Sequence, residues 1–172
     1  MDVCEAIIKR RSVRSFSDRT VEKELLIRLI EAAIWAPSGS NIQPWHFVVV
    51  TDEEQRSKIK AFAPGLAGVP PALIVICTDM DLCERKGGRL GRDVLSLMDA
   101  AFAAQNINLL AVELGLGTCV VRSFNQSAIQ GILKLPGYLV PQLLIAVGYP
   151  EKIPMAPGRR NIQDVISWER YG

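Results

Sequence analysis

The order of apolar runs predicts an α+β fold, a mixed sheet packed by helices. Four short β-branched runs read as strands: His46–Val50, Ala72–Cys77, Thr118–Val121 and Leu139–Val147. Segments with helical apolar spacing lie between them. The alternation lacks the regular spacing of strand–helix–strand units in a parallel sheet. A length of 172 residues, 1–172, suits one domain with a real core.

Val3, Ala6, Ile7 and Arg10 fall on one helical stripe, predicting a first short helix over Asp2 to Arg10. Thr20 is placed to cap a second, Val21 to Trp35, whose apolar face is Leu25, Leu26, Leu29, Ile30, Ala33 and Ile34. Pro37 stops it. After the first strand, Thr51-Asp52-Glu53-Glu54 fits a capping box for a third helix reaching about Phe62. Ala63 to Pro71 is a Gly/Pro loop, and Ala72 to Cys77 is apolar enough to be buried on both faces. Asp79 to Arg92 is polar, Gly-rich and basic, and reads as a mobile surface loop. Asp93 to Leu114 is a long Ala-rich helix, apolar almost all round, suited to the centre of a fold or a subunit interface. Gly115 and Gly117 end it. A short helix over Asn125 to Leu133 precedes the last strand. From Pro150 the tail is Pro-rich and basic, then amphipathic from Ile162 to Tyr171.

Composition narrows the function classes. Lys+Arg 20 against Asp+Glu 18 leaves a net charge of +2, too even to predict a nucleic-acid partner from bulk charge. The most apolar region, Val94 to Leu114, is interrupted by Asp99, Gln105, Asn106, Asn108 and Glu113, so no membrane partner is expected. Asp2, Glu5, Lys9 and Arg10 stand where a signal peptide needs an apolar run, which predicts a cytoplasmic location. Cys4, Cys77, Cys83 and Cys119 form no C-x-x-C pair and His46 is the one histidine, so no metal site is expected. The cysteines read as three buried or half-buried thiols plus Cys83 in a loop, and His46 as a core or edge histidine.

Two segments carry chemistry. Arg10-Arg11-Ser12-Val13-Arg14-Ser15-Phe16 joins a helix end to extended chain, where Ser12 and Arg14 share a face and Arg10 can join them. A phosphate dianion needs several charge-assisted donors, and each arginine fork supplies two. The same residues also fit a solvated basic turn or a nonspecific polyanion patch. Ala36-Pro37-Ser38-Gly39-Ser40-Asn41-Ile42-Gln43-Pro44-Trp45 places Ser38, Ser40, Asn41 and Gln43 between two prolines, with Gly39 open to close approach. It fits the hydrogen-bonding edge of a planar ring, or an ordinary helix-to-strand turn. Together the segments suit a phosphorylated, planar, hydrogen-bonding ligand, and FMN fits better than other common cofactors. Arg159 and Arg160 can close on the same phosphate or form a solvated tail.

Other motifs fail on detail. Gly115-Leu116-Gly117-Thr118-Cys119-Val120 has Val where a dinucleotide fingerprint needs its third Gly, and it follows a helix. Gly87-Gly88-Arg89-Leu90-Gly91-Arg92 lacks the Gly-Lys-Ser/Thr end of a P-loop. A Ser-His-Asp triad would need His46, and no Ser lies in a nucleophile elbow.

In order and spacing, the chain resembles the nitroreductase family over nearly its whole length. The resemblance rests on the arginine turn, the Ala36–Trp45 loop and an Ala-rich helix carrying Asp99 and Asn106. It continues through Gly115-Leu116-Gly117-Thr118-Cys119, Ala146-Val147-Gly148-Tyr149-Pro150 and Ile166-Ser167-Trp168. It implies a mixed, mainly antiparallel sheet and a homodimer whose long central helices form much of the interface, with FMN between the subunits. Arg10, Ser12 and Arg14 would hold the phosphate and ribityl end, Arg11 adding main chain or charge, and Arg159 or Arg160 completing the site. Pro37, Ser38, Gly39 and Asn41 would reach in from the partner, and Gln43 would bond the loop or the flavin. Val120, Arg122 and Ser123 would lie against the ring.

The activity implied is an FMN-dependent NAD(P)H oxidoreductase that reduces a small electrophile such as a nitroaromatic or quinone. NADH or NADPH is the transient donor, and no catalytic side chain is demanded. The same fold is compatible with dehalogenation, enoate reduction or flavin fragmentation, or with a non-catalytic flavin-binding module. A nonenzymatic basic dimer that binds polyanions is a further alternative. Two departures stand out. The Asn that often meets the flavin pyrimidine is missing from Phe62 to Pro71, and Arg122 and Ser123 replace a frequent Gly pair or acidic residue. Arg122 either sits beside the ring or faces outward.

Overall fold

The structure, a computed structural model, describes residues 1–171. Its strands are β1 (Trp45–Val50), β2 (Ala72–Asp79), β3 (Gly117–Val121) and β4 (Leu139–Gly148), in the order β1-β2-β4-β3 with every pair antiparallel. The mixed character comes from a parallel bridge between Ser12 and Thr118 that lays the arginine turn along edge strand β3. His46 is exposed on the other edge strand, β1.

Alternation along β2 builds two cores. Ala72, Ile74 and Ile76 pack with helices α2 (Lys23–Ala33) and α5 (Ser96–Glu113) on one face. Leu73, Val75 and Cys77 pack with Ile59 of α3 (Glu53–Ala61) and Ile129 of α6 (Gln126–Ile132) on the other. Burial on both faces accounts for the unbroken apolar run of this strand. Helix α1 (Val3–Lys9) starts on Asp2, whose carboxylate accepts from Glu5 N–H at 2.7 Å, and α3 starts on Asp52 in the same way. Helix α5 ends in a Schellman motif: Leu116 N–H donates to Ala111 C=O, Gly115 N–H to Val112 C=O, and Gly115 takes φ +72°.

Three expectations are corrected. Helix α2 starts at Lys23 and Thr20 does not cap it; Glu22 occupies the cap position but its carboxylate is engaged by Arg19 and Tyr149. Asp79 to Arg92 is not a mobile loop but helix α4 (Met80–Leu90), capped by Asp79, followed by a π turn over Gly91–Leu95 that runs into α5. Cys83 is therefore buried at 1% exposure on the inner side of α4, and the exposed thiol is Cys4. The tail over residues 151–171, amphipathic in sequence from Ile162, is exposed throughout and carries a 3-10 turn at Ile162–Asp164.

The helical run Met80–Glu113 is long and apolar enough to cross a membrane by length and composition alone. It is not straight. Gly88 takes φ +57° and ψ −154°, and a Cβ on Gly91 would lie 2.5 Å from the carbonyl oxygen of Cys83. Residues eight apart are about 12 Å apart along a straight helix, so the chain folds back at Gly88. Ala100, Ala103, Ile107 and Ala111 of α5 face the sheet with 0% exposure, while Leu97, Met98 and Phe102 line its open side.

Candidate active site

The arginine turn is held by its neighbours on both sides. Arg11 Nη1 donates to the carbonyls of Ile8 at 2.6 Å and Arg10 at 2.8 Å, satisfying acceptors at the open end of α1. Val13 is buried, and its N–H donates to Thr118 C=O at 2.8 Å. With Val13 turned inward, Ser12 and Arg14 turn outward, as extended chain requires. Gly117 makes this approach possible, because a Cβ there would sit 2.7 Å from Val13 Cβ.

Arg10, Arg11, Ser12 and Arg14 line one cavity of about 340 Å³ together with Pro154, Met155, Pro157 and Arg159 of the tail. Arg160 does not line it, and its Nη2 donates to Asp164 C=O at 2.7 Å. Arg14 also lines a second cavity of about 210 Å³, enclosed by Phe16, the Gly65–Pro70 loop, Cys119, Val121 and Ala146. Arg14 is the residue that the two cavities have in common. Burial pushes the Cys119 thiol up, and the nearby Arg14 charge opposes the shift.

Alternation on β3 separates the ring candidates. Cys119 and Val121 face the second cavity, while Val120 between them faces away and is half-exposed. Arg122 is exposed, with its guanidinium 5.5 Å from the Phe124 ring centroid. Ser123 accepts from Gly65 N–H at 3.1 Å through its carbonyl, which anchors the loop without lining the cavity. Sequence reasoning missed Cys119, Phe16 and the loop's contribution. The available signal was Gly65, where a Cβ would lie 2.6 Å from Val121 Cγ1, so only glycine lets the loop lie on β3.

The Pro37–Gln43 loop is strained and firmly tied. Ser40, Asn41 and Gln43 take φ of 49°, 54° and 53°, and left-handed backbone costs about 1–2 kcal/mol per non-glycine residue. Gln43 N–H donates to Ser38 Oγ at 3.0 Å, Gly39 N–H to Asp99 Oδ1 at 3.1 Å, and Gln43 Nε2 to Asn41 C=O at 3.4 Å. Asp99 is buried and its carboxyl is pushed above the usual range by that burial, with the Gly39 N–H acting against the shift. Pro37 is exposed beside this turn.

The loop does not meet the arginine turn within one chain. It is tied to Asp99 near the start of α5, while Arg11 and Val13 share a surface pocket with Val112 near its end. Asp99 and Val112 are about 20 Å apart along the helix.

The Nitroreductase family model matches residues 7–70 and 61–149. The chain belongs to the nitroreductase family. A protein of Methanothermobacter thermautotrophicus, provisionally named NADH dehydrogenase/NAD(P)H nitroreductase, is 36% identical over 170 residues, spanning 95% of this chain and 84% of its own. FMN reductase (NADPH) of Bacillus subtilis is 29% identical over 87% of this chain and 66% of its own. The crystal structure of a nitroreductase family protein from Clostridium difficile 630 superposes with a TM-score of 0.86 at 31% identity, covering 99% of this chain and 100% of that one. The four-stranded antiparallel sheet with its long helix is thus the nitroreductase fold.

Proposed function

We propose that this nitroreductase-family chain binds FMN as a homodimer and reduces a small electrophile, such as a nitroaromatic or quinone, at the expense of NAD(P)H. The observation that carries the reading is that Arg14 lines two cavities, one basic and hydroxyl-bearing, the other lined by the Gly65–Pro70 loop and apolar residues. That donor set fits the group. Arg10, Ser12, Arg14 and Arg159 suit a phosphate and its polyol chain. The narrower cavity along Gly65–Pro70, Cys119 and Val121 suits a planar ring, with loop main chain in place of the missing Asn. Relatives named FMN reductase and NADPH-flavin oxidoreductase support the assignment.

When bound, the cofactor supplies two-electron redox chemistry between a reduced nicotinamide and an oxidant. The chain's own contribution is binding, orientation and charge. Arg10, Arg14 and Arg159 would neutralise the phosphate, and Arg14, which lines both cavities, would also place positive charge beside the ring. Arg11 shapes the turn through its carbonyl contacts. Val120 faces away from the cavity proposed for the ring and Arg122 is exposed beside Phe124, so neither lines it, and Arg160 stays with the tail.

The dimer is supported by the separation of the two segments along α5. Pairing two copies through Leu97, Met98 and Phe102 would bring the Pro37, Ser38, Gly39, Asn41 and Gln43 loop of one protomer to the arginine turn of the other. The exposed tail, with Ile153, Met155 and Trp168 at 68%, 91% and 79% exposure, offers further apolar surface to a second copy.

The test is anaerobic titration of the FMN-reconstituted protein. Bleaching of the flavin bands by NADH or NADPH, and return of colour on adding a quinone, is the expected result. A colourless protein that takes up no FMN overturns the reading, as does a yellow one that neither nucleotide bleaches.

A further inference from the structure

We propose that the exposed helical corner carrying Arg85, Lys86 and Arg89 binds the phosphates of the donor nucleotide and selects NADPH over NADH. The proposal rests on the reductase reading above and adds a donor site to it. Its starting point is the fold-back at Gly88. That reversal makes a tip of the Arg85–Arg89 stretch, with all three cationic residues exposed.

The cations at this tip are unneutralised. Glu84 and Asp93, the acids that flank it in sequence, are both engaged by Arg92, at 3.2 Å and 2.8 Å. Among the described residues, Arg85, Lys86 and Arg89 make no salt bridge. The corner also travels with the cofactor loop: a Cβ on Gly87 would lie 3.1 Å from Ile42 Cδ1, directly after the Gly39–Asn41 turn. In the proposed dimer, a loop that reaches the partner's cavity would carry the basic tip toward that cavity with it.

The donor's chemistry matches this placement. A reduced nicotinamide dinucleotide puts its ring at the cofactor and leaves a pyrophosphate outside, and NADPH adds a 2′-phosphate that is close to a dianion at neutral pH. The chain has no glycine-rich dinucleotide fingerprint to hold those phosphates. The arginine turn is committed to the cofactor's own phosphate. Two guanidinium forks and an ammonium on an open corner supply what the fingerprint would otherwise provide.

The test uses the FMN-loaded dimer and the triple variant Arg85→Ala/Lys86→Ala/Arg89→Ala, with Arg85→Lys/Arg89→Lys as the charge-retaining control. Reduction is followed anaerobically with NADPH, NADH and reduced nicotinamide mononucleotide. The triple variant is expected to lose about tenfold or more in apparent affinity for NADPH, the scale of one or two charge-assisted contacts. It should lose much less for the mononucleotide, and the lysine control should keep most of the NADPH preference. An unchanged NADPH-to-NADH ratio in a flavin-loaded, dimeric triple variant overturns the site. Calorimetric titration with 2′,5′-ADP separates the two readings, because it needs no electron transfer. Binding lost in the triple variant upholds the phosphate site even if neither nucleotide bleaches the flavin, whereas equal binding by both proteins refutes it.

Discussion

The N–H of Gly39 donates at 3.1 Å to Asp99, a carboxylate only 2% exposed near the start of α5. This bond ties a loop with three left-handed non-glycine residues to the long helix. Replacing Asp99 by Ala leaves the Gly39 donor without a partner and should cost about 1–3 kcal/mol of stability. Asp99→Asn keeps an acceptor and should cost less. Burial holds the Asp99 carboxyl above its ordinary range, so its protonated form is the one the fold favours. Its contribution is full below the ordinary Asp range and is lost as pH rises through the raised value. Denaturant melts against pH should show this limb in the wild type and a flatter one in Asp99→Asn.

Gly117→Ala should release the arginine turn. The new methyl would lie 2.7 Å from both Cβ and Cγ2 of Val13, a buried side chain with no flexible end to yield. Overpacking of this kind costs about 1–3 kcal/mol. The expected outcome is a lower melting temperature together with weaker FMN uptake, measured by flavin fluorescence. Gly68→Ala, where a Cβ meets nothing within 4 Å, should disturb stability far less.

Arg14→Ala should weaken FMN binding more than any other single change in the turn, because Arg14 lines both cavities. Loss of a charge-assisted contact of about 1.5–3 kcal/mol corresponds to roughly ten- to hundredfold in Kd. Arg159→Ala should act in the same direction. Arg160→Ala should leave the Kd unchanged, since that side chain does not line the basic cavity. Equal losses for Arg159 and Arg160 would contradict the placement of the phosphate.

Glu22 should titrate low. The Tyr149 hydroxyl and the Arg19 guanidinium both donate to it, holding its carboxyl down to about 2 from an ordinary 4.5. A depressed carboxyl stabilises the fold above its ordinary value, and that contribution is lost as pH falls from 4.5 toward about 2. Tyr149→Phe removes the leading donor. Carbon-detected NMR of the Glu22 carboxyl should then show an upward shift, while Arg19 remains over the ring face.

Strands and most helix starts were legible in the sequence because their causes are local. Asp52 and Asn125 cap helices through bonds to residues three ahead, and β2 announces its two-sided burial by composition. The arginine turn was legible for the same reason, since alternation around Val13 sets which side chains point outward. The stretch from Asp79 to Arg92 was misread as a loop because its polar and glycine content looked like solvent. Its helix is stabilised by burying Cys83, and Gly91 is there to let the chain pass the Cys83 carbonyl. Thr20 does not cap α2 because the helix begins only at Lys23, and the Glu22 carboxylate at its cap position is held by Arg19 and by Tyr149, which is distant in sequence.

The sequence by itself determined the α+β pattern, the arginine turn, the polar loop and the family they belong to, because each depends on contacts within a few residues. Only the tertiary structure decided that Arg14 lines two cavities, that Arg159 and not Arg160 lines the basic one, and that Cys119 and Val121 turn toward the other. It alone set the loop and the arginine turn about 20 Å apart along α5. These relationships are made between segments up to 149 positions apart, Arg10 to Arg159. Such contacts form when two hydrophobic cores close around one sheet, and short-range patterns do not encode them.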